Sequence, residues 1–167
     1  EKEMRELRSF STRARITPTS FLNDYSWGSF KGNADEWMGK YFDAFLYYAN
    51  WGTRVLKLRL PSELLSLDTV QEYCSGDSAS VRETDGKIIL SLCCENEGGG
   101  AWMEGEGSLS FLISVRAEIA RGDLRPLYLC WLLGAQSGEF DGHEKEPPVP
   151  AGLKEQSASL RRFAGFL

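Results

Sequence analysis

Acid/base chemistry in this sequence would start from a carboxylate; Glu104 with Glu106 is one candidate pair, and the other candidate is Asp43. It lies seven residues before Asn50, and residues seven apart share one face of an α-helix. Asp43 could act on a polar substrate together with Asn50 and a cation such as Arg13. Paired instead with Glu36, it would need burial to raise the pKa of one of the two carboxyl groups. These residues define one hypothesis, an enzyme with a pocket beside the helix.

The sequence contains a single histidine, His143, which limits two kinds of catalysis. One histidine cannot supply the nitrogen ligands usual for catalytic zinc, so we predict no metal site in the acidic segment 141–146. A serine or cysteine nucleophile would also have to recruit His143, and no serine lies in a Gly-x-Ser-x-Gly motif. The Gly-rich run 97–101 lacks the Lys-Ser/Thr ending of a phosphate-binding loop. We therefore predict no catalytic nucleophile, metal or cofactor.

The four cysteines, none of them in a Cys-x-x-Cys pair, favour buried free thiols. Cys93 and Cys94 are neighbours, so in a strand they would point to opposite faces and could not share one metal ion. Cys93 and Cys130 lie in apolar runs, which is typical of small buried hydrophobic residues. Free thiols indicate a reducing compartment, and we expect a cytoplasmic protein.

Two segments have compositions that suit a binding partner. Trp102 lies in a Gly- and Glu-rich loop, residues 95–107, and tryptophan is common at the centre of interfaces. Arg13 and Arg15 belong to a basic N-terminal segment that could bind a phosphate or the acidic face of a partner. The alternative is that these arginines pair internally with the acidic loops. Nucleic-acid binding through this segment is a further alternative, which the net charge of −5 disfavours.

The element expected to position Asp43 and Asn50 is a helix over residues 33–50. Asn33 is a suitable N-cap with a glutamate three residues later, and aromatic residues then form a broad apolar face. Gly52 suits the left-handed backbone position that ends many helices. The polar face of this helix would carry both candidate residues.

Strands are predicted after this helix. Residues 54–60 alternate apolar and polar side chains, as in a half-buried strand, and Pro61 ends the alternation. Residues 78–95 contain the clearest hairpin, because Asp85 and Gly86 form a two-residue turn that favours positive φ angles. The second strand of this hairpin is almost continuously apolar, which predicts a central position in the sheet.

Helices are predicted again in the last third of the chain, as a pair over residues 109–136 and a short amphipathic helix over 153–167. We predict one α+β domain over residues 1–167, with a small, mostly antiparallel sheet packed with the aromatic-rich helix and the C-terminal helical pair. A chain of this length buries about 70% of its unfolded surface, which is enough for one core. No segment reaches the roughly 20 apolar residues of a membrane-spanning helix.

Three stretches of the sequence resemble a family of uncharacterised bacterial proteins. They read STRARITPTSF, WGSFKG and YFDAFLYYANWGTRVLKLRLP. The resemblance is strong over residues 4–61 and loose over the rest, and it implies no activity, cofactor or catalytic residue. It does imply an aromatic strand just ahead of Glu1, so we expect the natural protein to begin upstream. The residues that it marks without a role are Arg13, Trp27, Gly28, Asp43, Asn50, Trp51 and Gly52.

The favoured hypothesis from sequence is a non-enzymatic protein-interaction module of the bacterial cytoplasm. It depends on the lack of a catalytic constellation, on complementary charged segments and on the loop around Trp102. The candidate binding residues are Arg13, Arg15, Asp43, Asn50 and Trp102. The enzyme and the nucleic-acid binder stay open as alternatives, and the sequence assigns neither the partner nor the oligomeric state.

Overall fold

The described residues, 2–25, 30–49, 52–95 and 105–167, with side chains from residue 110 onward in the last range, form two antiparallel sheets and six α-helices in a computed structural model. The helices are α1 Lys2–Phe10, α2 Ala34–Lys40, α3 Leu67–Gln71, α4 Gly105–Ala120, α5 Arg125–Gln136 and α6 Ala158–Phe166. The strands are β1 Arg15–Ile16, β2 Phe21–Leu22, β3 Ala44–Tyr48, β4 Thr53–Pro61, β5 Ala79–Thr84 and β6 Lys87–Glu95.

The larger sheet has four strands in the order β3-β4-β6-β5, and every neighbouring pair is antiparallel. Its central pair, β4 and β6, is in register from Thr53 opposite Glu95 to Pro61 opposite Lys87. The predicted hairpin is present, and its turn residues Asp85 and Gly86 have φ angles of 50° and 68°. The prediction of an α+β fold with a mostly antiparallel sheet is confirmed.

One face of this sheet, the inner face, carries the main core. Leu56, Leu58 and Leu60 project to it from alternate positions of β4 and have no exposed surface. The predicted helical pair, α4 and α5, covers this face together with α6. The helical residues that are fully buried in the same core include Leu112, Val115, Ile119, Leu127, Cys130 and Phe163.

The opposite face, the outer face, carries the other side chains of β4 and packs against α2. Trp37 of α2 is 3% exposed and lies at the centre of an aromatic cluster. Three rings meet it edge-on at centroid distances of 5.2, 4.8 and 4.9 Å, those of Phe10, Phe21 and Phe30. A Cβ atom on Gly32 would lie 2.7 Å from the Trp37 ring, so a glycine is required there. These contacts tie the N-terminal elements to the sheet.

The predicted helix over residues 33–50 is wrong beyond Lys40. Asn33 is its N-cap as predicted, because its Oδ1 accepts hydrogen bonds from the N–H groups of Asp35 and Glu36. The chain then leaves the helix, and β3 pairs with β4 across a turn that contains Gly52, whose φ angle is 108°. Aromatic residues favour strands, and the pairing with β4 overrides the helical spacing. Gly52 thus has the predicted left-handed backbone but serves a strand turn.

Candidate functional site

A hollow of about 270 Å³ opens on the outer face beside α2. Its lining is mainly apolar and aromatic, and it is formed by Phe30, Ala34, Phe45, Tyr47, Val55 and Lys57. Apolar concave surfaces with few polar groups are the usual form of binding sites in proteins. We therefore take the hollow as the first part of the candidate site.

The register of β3 and β4 positions four of the six lining residues. Phe45 is opposite Lys57, and Tyr47 is opposite Val55, so all four side chains lie on the outer face. The ring of Phe30, from the segment before α2, lies 5.6 Å from the ring of Phe45. The hollow thus exists only because residues 41–48 are not a helix.

The edge of β3 is the second part of the candidate site. The backbone carbonyl of Asp43 accepts a hydrogen bond from the N–H of Arg59, and the N–H of Ala49 donates one to the carbonyl of Thr53. In an antiparallel pair the bonded residues alternate, so the backbone groups of the odd-numbered residues of β3 bond to β4. The N–H and C=O groups of Ala44 and Leu46 therefore point away from β4. Within the described part of the chain, no strand lies on that side of β3. Two backbone donors and two acceptors are directed outward there.

The two edges of the sheet differ in charge. The five residues of β3 are Ala-Phe-Leu-Tyr-Tyr, without a charged side chain. The opposite edge, β5, carries Arg82 and Glu83, and both α3 and α5 contact it. Charged residues and covering elements are the usual protection of an edge strand against pairing with another chain. Helices contact both edge strands, α2 and α4 at β3 and α3 and α5 at β5, so the charged side chains are what distinguishes β5 from β3.

A polar network borders the hollow. The Nζ of Lys57 lies 2.8 Å from Oδ1 of Asp35 and 2.8 Å from Oγ of Ser91, and donates to both. The hydrogen bond from Lys57 holds the pKa of Asp35 below its usual value. Lys57 donates to both partners, so this trio ties Asp35 of α2 to the strands β4 and β6. It offers no general base to a serine nucleophile.

Asp43, the first predicted site residue, lies between β4 and α4 and does not line the hollow. Its Oδ1 lies 3.0 Å from Nη2 of Arg59 and 3.7 Å from Nη2 of Arg116. Arg59 also donates to the carbonyls of Met38 and Gly39, at the end of α2. This gives Asp43 a structural role, as the anion that joins α2, β4 and α4.

The other predicted site residues are separate from the hollow or lie outside the described residues. Arg13 and Arg15 are exposed near β1, and neither lines the hollow. Asn50 and Trp102 are outside the described residues. The lone histidine, His143, is exposed. In the described ranges, no group of three or more His, Cys, Asp or Glu side chains could hold a metal ion.

The acidic loop after α5, which we took as a possible partner of the arginines, binds two neutral residues. Glu139 accepts hydrogen bonds from the backbone N–H and the hydroxyl of Ser78. Glu146 accepts one from the hydroxyl of Tyr128 at 2.5 Å, which raises the pKa of Tyr128 to about 12. Sequence reasoning missed both contacts, because neither partner is near the loop in the chain.

The thiols of Cys74 and Cys130 are unreactive by burial. Desolvation raises the pKa of Cys74 to about 12 and that of Cys130 well above its ordinary value. A thiol with a raised pKa stays protonated at neutral pH and is a poor nucleophile. All four cysteines are free.

Comparison with known proteins gives no relative from which to transfer a role. No protein-family model, curated protein or solved structure matches the chain. The family resemblance of the N-terminal third stays a prediction. None of the described helices has the length and apolar character needed to cross a bilayer.

Proposed function

We propose that this protein is a non-enzymatic protein-interaction module that binds an extended segment of a partner at the edge of β3. The observation that carries this proposal is the coincidence of two features on one strand. Ala44 and Leu46 direct backbone donors and acceptors outward, and Phe45 and Tyr47 line the hollow. Strand addition uses such an arrangement, since the backbone supplies affinity and pockets for alternate side chains supply specificity.

Moderate affinity is expected of such an interaction. Each hydrogen bond formed at the edge contributes only about 1 kcal/mol net. The loss of free motion on association costs at least about 4 kcal/mol. The side chains that enter the hollow must therefore decide whether binding is measurable. An affinity in the micromolar range or weaker is consistent with a transient partner.

The chemistry of the described residues lends less support to the alternatives. An enzyme at Asp43 would have to use a carboxylate that two arginines already hold. Nucleic-acid binding draws its affinity from clustered cations, and the net charge of −5 disfavours it. The four free thiols support the further proposal that the protein works in a reducing compartment, the cytoplasm.

A peptide-selection experiment tests the proposal. Peptides of random sequence displayed on phage are selected for binding to the purified protein, and the affinity of each selected peptide is measured by calorimetry. A Leu46→Pro variant removes one outward N–H from β3 and leaves the bonds to β4 intact, because Pro is tolerated at such edge positions. Because Leu46 also packs against the core, as Val81 of the control does, the folding of both variants is checked by circular dichroism. We expect this change to abolish binding. In an isotope-labelled sample, the peptide should shift the amide signals of Ala44 and Leu46.

The matched control is Val81→Pro. The carbonyl of Ser78 accepts a hydrogen bond from the N–H of Cys93, so the even-numbered residues of this strand bond to β6. The N–H of the odd-numbered Val81 therefore points outward from β5, the opposite edge of the sheet. This variant should bind the selected peptides like the unmodified protein. The proposal would be overturned if no peptide were selected, or if the selected peptides bound the Leu46→Pro variant equally well.

A further inference from the structure

The chemistry of the hollow narrows the kind of segment that β3 can accept. We infer that the partner segment places an aromatic side chain in the hollow, on the face that carries Phe45 and Tyr47; this rests on the proposed function. The occupant is thus an extended segment of another protein with an aromatic residue at a position facing outward from the sheet. Its remaining side chains on that face lie beyond the hollow.

The size of the hollow favours a ring. Engineered cavities of about 150 Å³ in protein cores are large enough to bind benzene. The hollow of about 270 Å³ is open to solvent and not enclosed, so it has room for a phenyl or an indole group that stays exposed on one side. A small aliphatic side chain would contact fewer of the lining rings than an aromatic side chain, and water would occupy the rest of the open hollow.

Distance across the sheet favours a long side chain. Neighbouring strands lie about 4.8 Å apart, so an added strand would be about 10 Å from β4, two spacings away. Val55 and Lys57 form the part of the lining that belongs to β4. Only a long side chain that leans across Phe45 and Tyr47 reaches that far wall. Phenylalanine, tyrosine and tryptophan have the necessary length.

The charges around the hollow favour an uncharged occupant. Lys57 is the single charged residue among those that line it, and its ammonium group already donates to Asp35 and Ser91. Asp35 already offsets much of the charge of Lys57, so a carboxylate from a partner would gain less there than beside an unpaired lysine. The rings of Phe30 and Phe45, tilted by 54° to each other, offer faces and edges for a third ring.

A peptide series tests the inference. A selected peptide is remade with Phe, Leu, Ala or Glu at the position that faces the hollow, and each affinity is measured by calorimetry. We expect Ala to weaken binding about tenfold or more, because a buried aromatic side chain is lost. Leu should fall between Phe and Ala, and Glu should bind no better than Ala.

Two variants of the protein locate the contact. Val55→Phe fills the hollow from its far wall and should remove the preference for Phe over Ala, while the backbone binding that depends on Leu46 remains. The control, Ile113→Phe, adds a ring at a position of α4 that is 57% exposed and should leave the preference unchanged. A preference for Phe that survives in the Val55→Phe variant would place the contact elsewhere and overturn the inference.

The two proposals fail in different ways. Equal affinity of the Phe, Leu and Ala peptides, together with loss of binding in the Leu46→Pro variant, would overturn the aromatic occupant and leave strand addition standing. Absence of binding for every peptide would overturn strand addition itself.

Discussion

The carboxylate of Glu139 accepts two hydrogen bonds from Ser78, one from its backbone N–H at 3.0 Å and one from its hydroxyl. The loop after α5 is thereby fixed to the residue that precedes β5. Ser78 is 7% exposed, so its N–H has little access to water. Glu139 thus stabilises the sheet edge opposite β3 from a distant part of the chain.

Replacing Glu139 by alanine should lower the free energy of unfolding by about 2 kcal/mol, because a buried N–H loses its acceptor. Urea denaturation followed by circular dichroism measures the change. Glu144→Ala is the matched control, since Glu144 is an exposed residue of the same loop. Equal midpoints for the two variants would contradict the structural role of Glu139.

A methyl group on Gly134 should also destabilise the protein. A Cβ atom there would lie 2.8 Å from Oε2 of Glu139 and 3.1 Å from the ring of Phe140. Glu139 cannot move aside without breaking its bonds to Ser78, so we expect Gly134→Ala to cost about 1–2 kcal/mol despite the better helix propensity of alanine. Thermal unfolding measures this cost.

Gly165→Ala supplies the comparison for that experiment. Gly165 lies in α6, and an added Cβ would meet nothing within 4 Å. Alanine should therefore stabilise α6 by about 0.5–1 kcal/mol. We expect Gly134→Ala to lower the unfolding temperature and Gly165→Ala to raise it. If both changes had the same sign, the contact between Glu139 and position 134 would not be tight.

The bond between Tyr128 and Glu146 should make stability depend on alkaline pH. It raises the pKa of Tyr128 to about 12, whereas an unfolded tyrosine ionises near pH 10. A raised pKa in the folded state means that the contribution is complete below about pH 10 and is lost as the pH rises toward 12. In a Glu146→Ala variant we expect Tyr128 to ionise earlier, as followed by tyrosinate absorbance. The control, Glu144→Ala, should titrate like the unmodified protein.

The ion pair of Asp35 and Lys57 should contribute at neutral pH and vanish in acid. The hydrogen bond from Lys57 lowers the pKa of Asp35, so the contribution is present above the usual pKa of 3.8 and is lost as the pH falls below it. Asp35 is 47% exposed, which limits the expected loss in Asp35→Asn to under about 1 kcal/mol at pH 7. Denaturation at pH 7 and near pH 2 measures both values. A loss of equal size at the two pH values would contradict this origin.

Local preferences explain which elements could be predicted from the sequence. Asp85 and Gly86 both adopt positive φ angles, which the two-residue turn requires and few other residue pairs tolerate. These two positions therefore suffice to predict the hairpin between β5 and β6. The N-cap at Asn33 is equally local, because its side-chain oxygen accepts hydrogen bonds from the N–H groups two and three residues later. The alternation in β4 survives in the structure because one face of that strand is buried in the core.

The candidate site could not be predicted, because it depends on the strand β3. Residues 41–48 are apolar or aromatic apart from Asp43, so their pattern does not separate a helix from a strand, and pairing with β4 decides between them. Once β3 exists, Phe45 and Tyr47 form the wall of the hollow, whereas on a helix they would have lain on different faces. Asp43 then becomes an ion-pair partner of Arg59 at the start of the strand.

The uncharged sequence of β3 also has a consequence for the protein in solution. Colloidal stability here depends on the net charge of −5, since no lysine or glutamate on that strand repels an approaching molecule. Acidification that neutralises this charge should therefore promote edge-to-edge aggregation, beginning at β3. A lysine substituted for Tyr47 of β3 should raise the solubility of the protein more than a lysine introduced on β5.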